Sequence, residues 1–192
     1  MQVGSFTIEK YEIQGPLLIT PKMIGDERGF FSERFRSAEF QEMGLPHFIQ
    51  ENYSRSQTNV LRGLHFQYDK PQGKLITATR GKILDVAVDI RAGSPTFGKS
   101  VSVVLDGNKP QWIWIPGGFA HGFFVVSAEG ADVMYKVDNL YNAAGEGAIR
   151  WNDSDLAVDW TLGMETKTLS PLLSAKDSAA PSFAEYRKAP KF

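Results

Sequence analysis

Three basic side chains lie close together in one largely apolar stretch. Arg62 and His65 fall within Asn59-Val60-Leu61-Arg62-Gly63-Leu64-His65-Phe66-Gln67, and Lys74 stands in the Gln72-Gly73-Lys74 that follows. A neutral imidazole is a base near neutral pH, and guanidinium and ammonium groups bind anions. The set suits proton chemistry on an anionic substrate. The apolar residues between these groups suit a strand, in which alternate side chains share a face. Leu61, Gly63 and His65 then point one way and Arg62, Leu64 and Phe66 the other. A histidine buried in a β-core and bonded to backbone explains His65 equally well on these residues alone.

The elements that must hold these groups are strands. Phe6 to Ile13 alternates and reads as a strand, and Leu17-Leu18-Ile19 as a second. Gly25-Asp26-Glu27-Arg28-Gly29-Phe30-Phe31 is a charged turn, with Arg28 either a solvated loop charge or an anion ligand. Ser37 is placed to cap a short helix running to about Met43, stopped by Gly44. Phe48 to Asn52 is extended, and puts Gln50 and Asn52 on one face, where two amides read a base or sugar edge or simply line a sheet edge. Leu84, Val86, Val88 and Ile90 alternate with Asp85, Ala87 and Asp89 as a half-buried strand. Val101 to Leu105 leads into a hairpin-type turn at Asp106-Gly107. Further strands are expected at Trp112 to Ile115, Phe119 to Val126, Val133 to Val137 and Ala148 to Trp151, with a short helix within Pro181 to Arg187.

Many short strands separated by Gly/Pro turns, without crossover helices, predict an all-β, cupin-like jelly-roll barrel or sandwich of antiparallel strands with a few short helices. The 192 residues fit one domain, 1–192, with a core at about 48–162 on which the N-terminal strands and the C-terminal tail pack. Hydrophobic content of 42% and charged content of 22% are those of a globular protein, and a net charge of −1 argues against nucleic acid. With no cysteine, disulfides, thiolate metal sites and cysteine nucleophiles are excluded. No apolar run is long enough to span a bilayer and no signal peptide is evident, so no membrane partner and a cytoplasmic location are expected.

Cupin-type barrels often carry a metal on two histidines one residue apart, a glutamate and a third histidine. The three histidines here, His47, His65 and His121, form no such pair, and the expectation is no metal. Tyr135 shares its strand face with Val133 and Val137 and is expected to point inward, where a buried hydroxyl needs a partner. Tyr141 is placed at the same pocket; the residues alone favour structural roles for both.

Taken together, Gly25–Phe31, Leu61–Gln67, Gln72–Lys74, Asp85–Arg91, Ser94–Gly98, Ile115–Phe123, Tyr135-Lys136, Gly147–Asp153 and Leu173–Asp177 resemble the dTDP-4-dehydrorhamnose 3,5-epimerase family, in order over nearly the whole chain. That resemblance implies a dTDP-4-keto-6-deoxyhexose substrate, no cofactor, and inversion at C3 and C5 through an enolate. It implies His65 as base, Asp177 as the carboxylate setting its tautomer, Tyr135 as acid and Lys74 as the cation at the C4 oxygen. It further implies Arg28, Arg62 and His121 around the diphosphate, Gln50, Glu51 and Asn52 at the nucleoside, and Glu33, Glu146 and Lys176 as other ligand contacts, with Tyr141 a substrate-binding candidate beside them. A homodimer exchanging N-terminal strands is implied as well. One tension follows: in an ideal strand Arg62 and His65 face opposite ways, so both meet one ligand only if the strand twists or lies at a barrel rim. A C3-only epimerase or ketoisomerase of a related deoxysugar route, and a non-catalytic cupin-type sugar-binding protein, are the competing readings.

Overall fold

The computed structural model describes residues 1–164 and 169–192. In chain order the strands are β1 (Gln2–Val3), β2 (Phe6–Lys10), β3 (Leu17–Pro21), β4 (Met23–Asp26), β5 (Gly29–Ser32), β6 (Gln50–Ser56) and β7 (Leu61–Gln67). They continue as β8 (Lys74–Arg80), β9 (Lys82–Asp89), β10 (Ser100–Asp106), β11 (Trp112–Ile115), β12 (Phe119–Val125), β13 (Ala131–Val137) and β14 (Glu146–Ala148). The helices are α1 (Ser37–Glu42), α2 (Ala175–Ser178) and α3 (Phe183–Lys188). β1-β2-β3-β11-β8-β13-β6 form a seven-stranded sheet, β10-β9-β12-β7-β14 a five-stranded one, and β4-β5 a separate hairpin. Neighbouring strands pair antiparallel throughout, as expected where no helical crossover supports a parallel pair.

The two large sheets pack face to face. Ile76, Ala78, Ile113, Ile115 and Val133 of one meet Ile83, Ala87, Leu105, Phe119, Phe123 and Val125 of the other. The outer face of the five-stranded sheet is covered by the C-terminal third, where Leu64, Phe66, Leu84, Val86 and Phe124 pack against Trp160, Phe183 and Tyr186. The outer face of the seven-stranded sheet is covered in part by α1, which sets Phe40 against Phe6, Ile19 and Trp112. β9 is therefore buried on both faces, not half-buried, because each face of its sheet has a cover. Asp85 and Asp89 are fully buried in it, and each has polar partners, as buried carboxylates require.

Several local expectations shift. Ser37 is the first residue of α1; Arg36 takes the cap position, without a side-chain cap bond. Asp106-Gly107 does not close a hairpin, since β10 pairs with β9 whereas β11 pairs with β3 and β8. The chain changes sheets there, which two apolar strands in a row do not reveal. β2 ends at Lys10, and the late strand is Glu146–Ala148 rather than Ala148 to Trp151.

Candidate active site

A cavity of about 310 Å³ opens between the two sheets, lined by Arg62, His65, Lys74, His121, Tyr135 and Asp177 with Ser54, Ile76, Phe123, Val133, Ser174 and Lys176. His65, Arg62 and His121 come from β7 and β12 of the five-stranded sheet. Lys74 and Tyr135 come from β8 and β13 of the seven-stranded sheet. A ligand in the cavity has these two groups on opposite walls.

Arg62 and His65 share a wall because β7 is bulged. Phe123 pairs with Arg62 and His121 with His65, so the partner strand advances two residues while β7 advances three. One extra residue inverts the alternation beyond it. Leu61, Leu64 and Phe66 all enter the outer cluster, and Arg62 and His65 both enter the cavity. The simple alternation is corrected, and the tension between Arg62 and His65 disappears with it. The bulge requires glycine: Gly63 has φ +133°, and a Cβ there would lie 2.5 Å from Gly122 Cα.

His65 Nε2 lies 2.6 Å from Asp177 Oδ1. Asp177 reaches it because Leu172 bridges to Val60 beside β7 and Ser174 then caps α2, its Oγ accepting from the Asp177 N–H at 3.0 Å and donating to Asp177 Oδ2 at 2.7 Å. Burial alone would raise the Asp177 carboxyl, but bonds from His65, Ser174 and the Gly63 N–H outweigh it and hold it below its ordinary value. An ionised carboxylate only accepts, so Nε2 carries the proton and Nδ1 keeps a lone pair.

Burial weighs more heavily on the other wall. Burial lowers the Lys74 ammonium from 10.5 to about 8, opposed by Asp138, Glu146 and Asp85. Burial raises the Tyr135 phenol, opposed by Arg62 and a bond with Asn52, its cross-strand neighbour on β6. Tyr135 is thus a neutral proton donor at ordinary pH. His121 Nε2 lies 2.9 Å from Asp85 Oδ2, a second imidazole–carboxylate pair, directly across the strands from His65. Asp85 is buried behind His121 and does not itself line the cavity; in the sequence its one signal is an acid inside an apolar alternation.

The remaining sequence candidates divide. Lys176 lines the cavity, bonded at 2.6 Å to Glu146, which also accepts from Tyr141 at 2.8 Å; Tyr141 itself is exposed. Gln50 bonds Asn52 at 2.8 Å on the inward-facing side of β6. Glu51 points the other way, paired with Lys136. Glu33 pairs with Arg36 away from the cavity. Arg28 sits at the tip of the β4–β5 hairpin, its side chain 83% exposed and paired with Asp26, and does not line this chain's cavity. His47 is exposed and likewise apart.

The family model described as dTDP-4-dehydrorhamnose 3,5-epimerase matches residues 10–185. The chain belongs to this family. The dTDP-4-dehydrorhamnose 3,5-epimerase of Salmonella typhimurium is 46% identical, over 90% of this chain and 92% of its own. The dTDP-6-deoxy-D-glucose-3,5-epimerase of Legionella pneumophila, solved in complex with dTDP-4-keto-L-rhamnose, is 46% identical with a TM-score of 0.85 and covers 92% of each chain. A 3'-monoepimerase from Streptomyces bikiniensis, solved with dTDP-quinovose, is 31% identical with a TM-score of 0.82, over 93% of this chain and 88% of that one. As a member of the 3,5-epimerase family the chain is an isomerase with a cupin-like fold.

Proposed function

We propose that this chain inverts C3 and C5 of dTDP-4-dehydro-6-deoxy-D-glucose, giving dTDP-4-dehydro-L-rhamnose, without a cofactor. The observation that carries the proposal is the cavity with His65–Asp177 on one wall and Tyr135 and Lys74 on the other. Inversion needs a base on one face of the ring and an acid on the opposite one, and facing sheets supply both. His65 Nδ1 removes the proton beside the C4 ketone. Lys74 stabilises the negative charge that develops on the C4 oxygen, and Tyr135 returns a proton from the far face. Arg62 and His121, on the His65 wall, take the diphosphate. Gln50 and Asn52 extend the pocket toward the nucleoside, and Lys176, Glu146 and Tyr141 form its rim.

Arg28 fits a homodimer. The β4–β5 hairpin projects with Ile24, Phe30 and Phe31 exposed, and Ile49 and Tyr53 are exposed at the β6 edge. Such an apolar arm is costly in water; in the proposed dimer it packs on a second copy and carries Arg28 to that copy's cavity. Residues 1–192 act as one unit in this reading, since β3 pairs with β11 inside the large sheet and Asp177 reaches β7. The proposed compartment is the cytoplasm; a chain without cysteine has no disulfide to lose under reducing conditions.

Enzyme and substrate incubated in D2O test the reaction by NMR. Deuterium at both C3 and C5 is the expected result. Deuterium at C3 alone would make this a monoepimerase, and none at either would leave a sugar-binding protein.

A further inference from the structure

Lys74 is the first residue of β8, directly after a turn, and its ammonium makes one long bond, 3.4 Å, to the Gln72 carbonyl. What fixes the turn lies across the sheet. Val137 is the β13 partner of Lys74, and the next two residues lace themselves to the turn. Asp138 Oδ1 accepts from the Gly73 N–H at 2.7 Å. The Asn139 carbonyl accepts from Gln72 Nε2 at 2.7 Å, and Asn139 Nδ2 donates to the Pro71 carbonyl at 2.7 Å. Gly73 is wedged in place: a Cβ there would meet the Trp114 ring at 2.2 Å and Asp138 Oδ2 at 2.9 Å.

We propose that Asp138 is a positioning residue for Lys74, its carboxylate both clamping the turn that presents the ammonium and supplying the countercharge that keeps it protonated. The inference rests on the epimerase reading only for the use to which Lys74 is put. Of the carboxylates that act on Lys74, Asp138 is foremost, ahead of Glu146 and Asp85. The other charged or titratable groups lining the cavity with it are Tyr135 on its own wall and Arg62, His65, His121, Lys176 and Asp177. Burial raises the Asp138 carboxyl, while the N–H groups of Gly73, Asp138 itself and Asn139, together with Lys74, favour its ionised form. A turn residue with a purely structural role would need only an acceptor for the Gly73 N–H, which an amide oxygen provides. The two roles therefore separate in Asp138→Asn.

The test is acetylation of Lys74 by acetic anhydride across a pH series, read by peptide mass spectrometry, beside the pH profile of kcat/KM, for wild type, Asp138→Asn and Asp138→Ala. In Asp138→Asn the Lys74 midpoint and the alkaline limb of kcat/KM are expected to fall together by about one pH unit, the lower end of what an adjacent opposite charge does, with the melting temperature unchanged. Asp138→Ala should show the same shift and a further several-fold loss of kcat as the turn loosens. A midpoint and alkaline limb in Asp138→Asn that coincide with wild type would overturn the proposal. Labelling needs no turnover, so a wild type that fails to epimerise counts against the proposed reaction and leaves the Asp138–Lys74 coupling measured.

Discussion

A carboxylate on one ring nitrogen decides which nitrogen of His65 can take a proton, and that makes Asp177 the most informative single residue to change. Asp177→Asn keeps the shape of the contact, 2.6 Å in the native chain, but its amide can present a donor to Nε2 and so favour the wrong tautomer. We expect kcat to fall roughly 10²–10⁴-fold, the usual contribution of a positioned acid–base group, with dTDP affinity by calorimetry within a few-fold of wild type; equal losses in both would mean the residue is merely structural. Lys74→Met removes the charge proposed to stabilise the enolate and should cost about 3–4 kcal/mol of barrier, read as kcat. If Lys74 works as the cation, as proposed, then with burial bringing it to about 8 kcat/KM should fall as pH rises through that value; a profile flat to about pH 10, the ordinary lysine range, would remove Lys74 from the mechanism. At this scale the sequence was legible only where types stood out. His65, Arg62 and Lys74 announced themselves by clustering. Asp177 stands 112 residues from His65 and no local pattern links them; the family resemblance made that connection.

The element that decides the site is the bulged strand β7. Period-two alternation placed Arg62 and His65 on opposite faces, and the register shift brings them together. The clue was glycine, at 63 and 122, where two backbones approach closely. Gly63→Ala sets a Cβ against Gly122 at a positive φ, so it should destabilise by more than about 1 kcal/mol and depress activity beyond what the lost stability explains, by turning Arg62 or His65 out of the cavity. Thermal melting and kcat/KM on the same samples check this; a stable, fully active variant would mean the bulge is not what aligns the two groups. Strand existence was otherwise readable from alternation and turn residues, while strand partners were not: nothing in Val101 to Ile115 tells that β10 and β11 belong to different sheets.

For the molecule as a whole, stability and assembly are separable. Asp89 is fully buried; burial by itself would raise its carboxyl, yet bonds from Arg91, Ser94 and Thr96 bring it from 3.8 to about 2. A folded value below the unfolded one gives stabilisation that is present above about pH 4 and lost as pH falls toward about 2, worth on the order of 2 kcal/mol. Wild type should therefore lose stability between those values more steeply than Asp89→Asn, as urea denaturation at each pH would register; parallel losses would refute the assignment. The exposed hairpin predicts a dimer by light scattering, and Phe30→Ser with Phe31→Ser should weaken it and lower activity together. A monomeric wild type with full activity would place Arg28 outside the reaction. The antiparallel sandwich was legible because short alternating strands follow one another across Gly/Pro turns with no crossover helix between them, but the surface that a second copy covers carries no periodic signal.

Everything proposed for this cavity turns on His65 taking the proton, and the decisive experiment is deuterium exchange into the sugar by His65→Ala. The variant should bind dTDP with near-native affinity and exchange at C3 and C5 at least about 10²-fold more slowly, the least expected of a lost general base. Exchange at either carbon at close to the wild-type rate would contradict it.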